Sequence, residues 1–202
     1  MDMNKIACIL LAFSFLFISW IDLDQFPIQE RLNEVSWSNN GLKWTDFQEV
    51  DVIPGSSNAI GRTTTKLYYI LTDSMTRKNT QNLRLIKVYS VMLPYKSYIK
   101  KSATKKGLLE HEQIHFDINE VEARKFKKEL SEKYFDTVKL SKQIKRLHQK
   151  HVSNIGIMNN QYDDQHLNPF LGYEHWRNDL NKDLLSLQQY TSTDIWIMLK
   201  IN

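Results

Sequence analysis

The sequence predicts an α+β fold, a small antiparallel sheet followed by a helical region carrying a His-Glu-x-x-His helix. Segments rich in β-branched and aromatic residues are confined to the first half of the chain, and helix formers at helical spacing dominate from Lys105 onward. The two textures are segregated, which separates α+β from an alternating α/β fold. With 202 residues, 42% of them hydrophobic and 25% charged, the chain can bury a core without disulfides. Only 6 Gly and 4 Pro exclude collagen-like and linker-dominated chains. The lone Cys8 excludes a disulfide framework and a cysteine zinc cluster, so any metal site is built from His, Asp or Glu.

Taken in order, residues 1–21 read as a signal peptide or an N-terminal membrane anchor. Lys5 precedes an apolar run over residues 6–20, shorter than the roughly 20 residues a spanning helix needs, and Asp22 and Asp24 end it. Either reading places the rest of the chain outside the cytoplasm, secreted or in the periplasm or cell envelope, with residues 6–20 as a possible point of membrane attachment. Residues 22–202 are then expected to form a single domain. Asn39-Asn40-Gly41 marks a turn within a small strand or hairpin over residues 37–47. Residues 58–73 and 82–93 read as two antiparallel strands joined by a polar loop, 74–81. Helices are expected near 105–136, 139–159 and 171–189.

The net charge of +4 is uneven, since Lys96 to His151 holds 15 Lys plus Arg against 8 Asp plus Glu. Interspersed acids and the lack of a base-stacking aromatic motif make this a solvated helix face, and no nucleic-acid partner is expected.

The chemistry lies in Leu109-Glu-His111-Glu112-Gln-Ile-His115-Phe-Asp117-Ile118. Histidines four apart on a helix project from one face, about 40° apart, so both imidazoles can reach one Zn²⁺. Glu112, about 100° round the helix from His111, is left to act as general base on an activated water. With 6 His and 10 Glu, this motif would arise by chance about 0.01 times in such a chain. Leu108, Ile118, Glu122 and Phe126 continue the histidine face, and Glu122 there needs a hydrogen-bond or basic partner. Asp117 and Glu120 point away from it.

The stretch from His111 to Arg124 resembles the central motif of the bacterial domain-of-unknown-function family 922, predicted secreted zinc-dependent proteases of the zincin type. Leu42-Lys-Trp44-Thr-Asp46-Phe47, Lys96-Ser97-Tyr98, Gln161-Tyr162-Asp163 and Trp176 are similar to its flanking elements. In that family the Tyr-Asp pair is followed by a Thr and a His-Gly, whereas here Asp164-Gln165-His166-Leu167-Asn168-Pro169 follows. A gapless match places Asn168 at the histidine position, and a two-residue deletion places His166 there. A hydrolytic zinc site typically has three protein ligands. His166 is the first choice for the third and Asp163 the second, with His148, His151, Glu174 and His175 as further candidates.

The resemblance implies a zinc metallopeptidase acting on a peptide or protein substrate, with Glu112 as its base. It also implies that the strand at 82–93 offers its edge to an extended peptide, and Tyr162 or His175 is a candidate oxyanion donor. The alternative is a catalytically inactive zincin-like binding or structural module of the cell envelope.

Overall fold

The computed structural model describes residues 33–56, 58–79, 81–103, 107–166 and 173–200. The expected signal or anchor segment lies outside them. Within them no helix is long and apolar enough to cross a membrane.

The architecture is α+β, two sheets packed with three helices. Strands β1 (Val35–Ser36), β4 (Thr65–Lys78), β5 (Gln81–Met92), β7 (Tyr134–Phe135) and β8 (Asp194–Leu199) form the larger sheet, and β2 (Gln48–Val50), β6 (Tyr98–Lys100) and β3 (Gly61–Arg62) the smaller. Helices α1 (Leu108–Ser131), α2 (Leu140–His166) and α3 (Tyr173–Ser186) follow.

Strand β4 is shifted from its expected bounds of 58–73, starting at Thr65 and running on to Lys78. Lys78 pairs with Gln81, so strand pairing runs through most of the expected polar loop. Residues 73–79 are exposed, and with no core face to cover they lack the apolar alternation that marks a strand. Asn79, with φ of 47°, turns the chain back. A register shift between Leu71 and Met75 interrupts the pairing.

β5 is the sheet's central strand. β4 pairs along one side, and β1 and β8 pair along the other. The expectation that residues 82–93 present a free edge is therefore corrected, because both edges are already hydrogen-bonded. Asp194–Leu199 returns after the helices to pair with Asn82–Lys87, so strands do not all precede helices. Two short pairings, β7–β8 and β2–β6, are parallel.

Helix α1 threads the middle of the molecule. It starts at Gly107, whose φ of 76° suits a residue without Cβ. Its apolar face, with Ile118, Val121, Phe126 and Leu130 at 0% exposure, joins Ile86, Val88, Ile144 and Ile197 in the main core. Each such side chain contributes roughly 1.5–3 kcal/mol through burial. Two of its polar side chains also anchor it. Asn119 Nδ2 donates to Ser90 Oγ at 2.8 Å, fixing the helix on β5. Arg124 pairs with Glu120 at 2.7 Å and donates to Leu184 O, fixing it on α3. A second cluster of Leu42, Phe47, Met92, Ile99, Leu108 and Phe116 joins the smaller sheet to the start of α1.

After α1, the β7 segment reverses the chain and α2 returns antiparallel alongside. Glu122 Oε2 accepts from His151 Nδ1 at 2.8 Å, and two turns away His115 Nδ1 meets Asn159 Oδ1 at 3.0 Å. Seven residues along α1 match eight residues back along α2, so the end of α2 lies beside the start of α1. His151, expected on a basic helix face, is instead 3% exposed between Glu122 and Glu129.

Candidate functional site

His111 and His115 face α2 from the first two turns of α1. Their Nε2 atoms are 3.2 Å apart. Asp163 Oδ1 lies 3.6 Å from His111 Nε2 and 3.2 Å from His115 Nε2. His111, His115 and Asp163 are the group of possible metal ligands that the described residues bring together. Asn159 and Asp163, four apart on α2, share a face for the same reason as the two histidines. Asn159 Oδ1 accepts only, so His115 carries its proton on Nδ1 and turns the Nε2 lone pair toward Asp163 and His111.

Three acceptor atoms this close repel one another unless a proton or a cation lies among them. His115 shows the consequence. Burial alone would lower its pKa, yet the Asp163 and Asn159 hydrogen bonds and the nearby Glu112 charge raise it above its ordinary value.

Glu112 is 2% exposed. Burial raises its pKa, partly offset by the hydroxyl and backbone of Thr63 and by the charge of His115. Glu112 Oε2 and Thr63 Oγ1 are buried atoms that complete no hydrogen bond among the described residues. Glu112, His111, His115, Asn159 and Asp163 line one wall of an open cleft of about 710 Å³, and the segment from Asn58 to Thr63 lines the other. That second wall includes β3, an end strand of the smaller sheet. Sequence reasoning did not single out Gly61, Thr63 or Asn159, whose roles depend on contacts between distant segments.

Tyr162 is fully buried, with its ring stacked on His111 at 4.9 Å and edge-on to Trp176 at 5.6 Å. It therefore packs behind the histidines and does not line the cleft. His166 ends α2, three residues beyond Asp163, and its side chain lies outside the described residues. His148 Nε2 meets Leu67 O at 2.9 Å, and His175 is exposed beside Asp179 on α3. Asp117, off the histidine face, accepts from Trp37 Nε1 at 2.8 Å and from Gln113 Nε2 at 2.7 Å. Gln113 Oε1 also accepts from Leu42 N, which ties the 37–47 segment to the motif helix.

A larger cleft of about 910 Å³ lies on another face of α1, lined by Trp37, Asp117, Arg124 and Tyr173 among others, with no histidine. Size alone would favour it, but the candidate metal ligands line the smaller one.

Comparison of the chain with protein-family models, curated proteins and solved structures gives no match.

Proposed function

We propose that this protein is a zinc-dependent metallopeptidase, with His111, His115 and Asp163 as metal ligands and Glu112 as general base. The observation that carries the reading is the spacing of the three donors, 3.2, 3.2 and 3.6 Å. A tetrahedral ion with bonds of about 2.0–2.1 Å separates its ligands by about 3.3–3.4 Å, and two imidazoles with one carboxylate are a donor set suited to zinc. Asp163, the second choice from sequence, becomes the first for the third ligand.

Bound zinc supplies Lewis acidity, which brings the pKa of a water down to about 7 and polarises a carbonyl. The remaining chemistry falls to the chain. The Glu112 carboxylate, itself buried, lines the same cleft as the donor cluster, where it accepts the proton of the attacking water and returns it to the leaving amine. Its raised pKa suits both halves of that transfer. Asn159 holds the His115 ring by Nδ1, and Tyr162 backs the His111 ring, so neither imidazole turns away from the cleft.

The cleft is open, and its far wall ends in β3 and not in the buried β5, so an extended peptide has an edge strand to lie against. The apolar run at residues 6–20 supports a site of action outside the cytoplasm.

Zinc content and casein hydrolysis, measured on wild type and Glu112→Gln, test the reading. Wild type should hold about one zinc per chain and cleave casein; Glu112→Gln should keep the metal and lose cleavage. A wild-type protein that takes up no zinc on reconstitution overturns the proposal.

A further inference from the structure

Building on the reading of Glu112 as the base, we propose that β3 fixes its carboxylate, with Gly61 as a positioning residue of the hydrolytic site. The backbone of Gly61 lies directly against the Glu112 carboxylate. A Cβ placed on Gly61 would overlap Glu112 Oε1 and come within 3.1 Å of Glu112 Cδ and 3.0 Å of Leu108 Cδ1. Real Cβ atoms essentially never overlap an oxygen in this way, and the contacts at 3.0 and 3.1 Å are themselves tight, so a side chain at 61 displaces the carboxylate.

The requirement for glycine comes from this contact and not from the backbone. Gly61 is not among the residues of positive φ, and its β-strand conformation is open to every amino acid. The wall it forms is also firmly held. Gly61 pairs with Ile99 and Arg62 with Tyr98 across β3 and β6, and Lys100 N donates to Ile60 O at 2.9 Å. Ile99 is 1% exposed in the core cluster that also contains Leu108. The smaller sheet is thus anchored to the first turn of α1, the turn that leads into Glu112.

The position matters because a carboxylate on a flexible side chain has several rotamers, and proton transfer requires an oxygen within hydrogen-bond reach of the water. Gly61 closes one side, and Thr63, just past the end of β3, brings its backbone and hydroxyl near the carboxylate without the hydroxyl completing a hydrogen bond. The strand that borders the cleft therefore also sets the base.

The test is a double-mutant cycle on the full chain with Gly61→Ala, Glu112→Ala and both together. It reads urea midpoint, zinc stoichiometry and casein hydrolysis. Gly61→Ala should keep zinc at wild-type stoichiometry and lose at least tenfold in kcat with KM within twofold. It should lower the urea midpoint when Glu112 is present, and by less than half as much in the Glu112→Ala background. Equal lowering in both backgrounds, or undiminished kcat, overturns the proposal. If Gly61→Ala does not fold, recovery of folding in the double variant reports the same contact, and failure of both overturns it. A wild type that binds zinc but cleaves nothing defeats the hydrolase reading alone, because the midpoint comparison still decides whether Gly61 holds Glu112.

Discussion

His151 Nδ1 donates to Glu122 Oε2 at 2.8 Å across the α1–α2 interface, with both side chains 4% exposed or less. This bond sits two turns from the His115–Asn159 contact, and so braces the helix pair that carries the candidate ligand cluster. Removing Glu122 strips His151 Nδ1 and Asn154 Nδ2 of their acceptor, while His151 Nε2 keeps Glu129, and leaving a buried donor unsatisfied costs about 1–3 kcal/mol. Glu122→Ala should lower unfolding free energy by about that much in urea denaturation. A loss below about 1 kcal/mol would show that the brace contributes little.

The same network makes stability fall in acid. Partial burial alone would raise the Glu129 pKa, but hydrogen bonds from Lys133, Lys150 and His151 hold it down at about 2. Glu122 is lowered too, since His151, Asn154 and Lys125 outweigh the effect of its burial. A folded-state pKa below the unfolded value means that the contribution is complete above the unfolded value and lost as pH falls through the folded one. Urea midpoints should therefore drop from pH 4.5 toward pH 2, with a shallower drop in Glu129→Gln. Identical acid limbs in the two proteins would sink this account.

Asp163 and His166 predict opposite outcomes for zinc. Asp163 Oδ1 stands within 3.6 Å of both histidine Nε2 atoms, so Asp163→Ala removes a ligand and should weaken zinc binding by more than about 100-fold. His166→Ala should leave it within about threefold, because the proposed ligand set of His111, His115 and Asp163 does not include it. Competition titration with a chromogenic chelator measures both. The reverse pattern would restore His166 as the third ligand.

Asn159 offers a finer test, since it meets the cluster at His115 Nδ1. Truncating such an outer partner commonly costs 10–100-fold in metal affinity. Asn159→Ala should fall in that range with its urea midpoint little changed. Unaltered zinc affinity would mean that the His115 ring is oriented by packing against Tyr162 alone.

His111, Glu112 and His115 were legible in the sequence because their relationship is local, a matter of helical repeat. The closeness of Asp163 to the two histidines was not legible, because it depends on the register of two helices. The run Asn159-Asn160-Gln161-Tyr162-Asp163-Asp164 is poor in strong helix formers, so α2 was expected to end near 159. Packing against α1 carries it on to His166, and those added turns bring Asp163 to the histidines. Gly61 left no trace in the sequence, because the side chain it accommodates lies 51 positions away. The two long strands were legible from β-branched and aromatic content, but the polar end of their hairpin was not, since exposure on both faces removes the alternation.

The strand β8 was missed although Ile195, Ile197 and Leu199 alternate in Asp194-Ile-Trp-Ile-Met-Leu199. Six residues after a helical region are a weak signal. Its importance comes from pairing with the central β5 and from Ile197, which is 0% exposed in the main core. Truncating a buried isoleucine costs about 2–5 kcal/mol, from lost transfer energy and the cavity left behind. Ile197→Ala should destabilise by that amount, whereas the neighbouring Trp196, 42% exposed on the opposite face, should cost less on the same change. Urea denaturation of the two variants measures the difference, and a larger loss for Trp196→Ala would mean that the outer face of the sheet is the more tightly packed one.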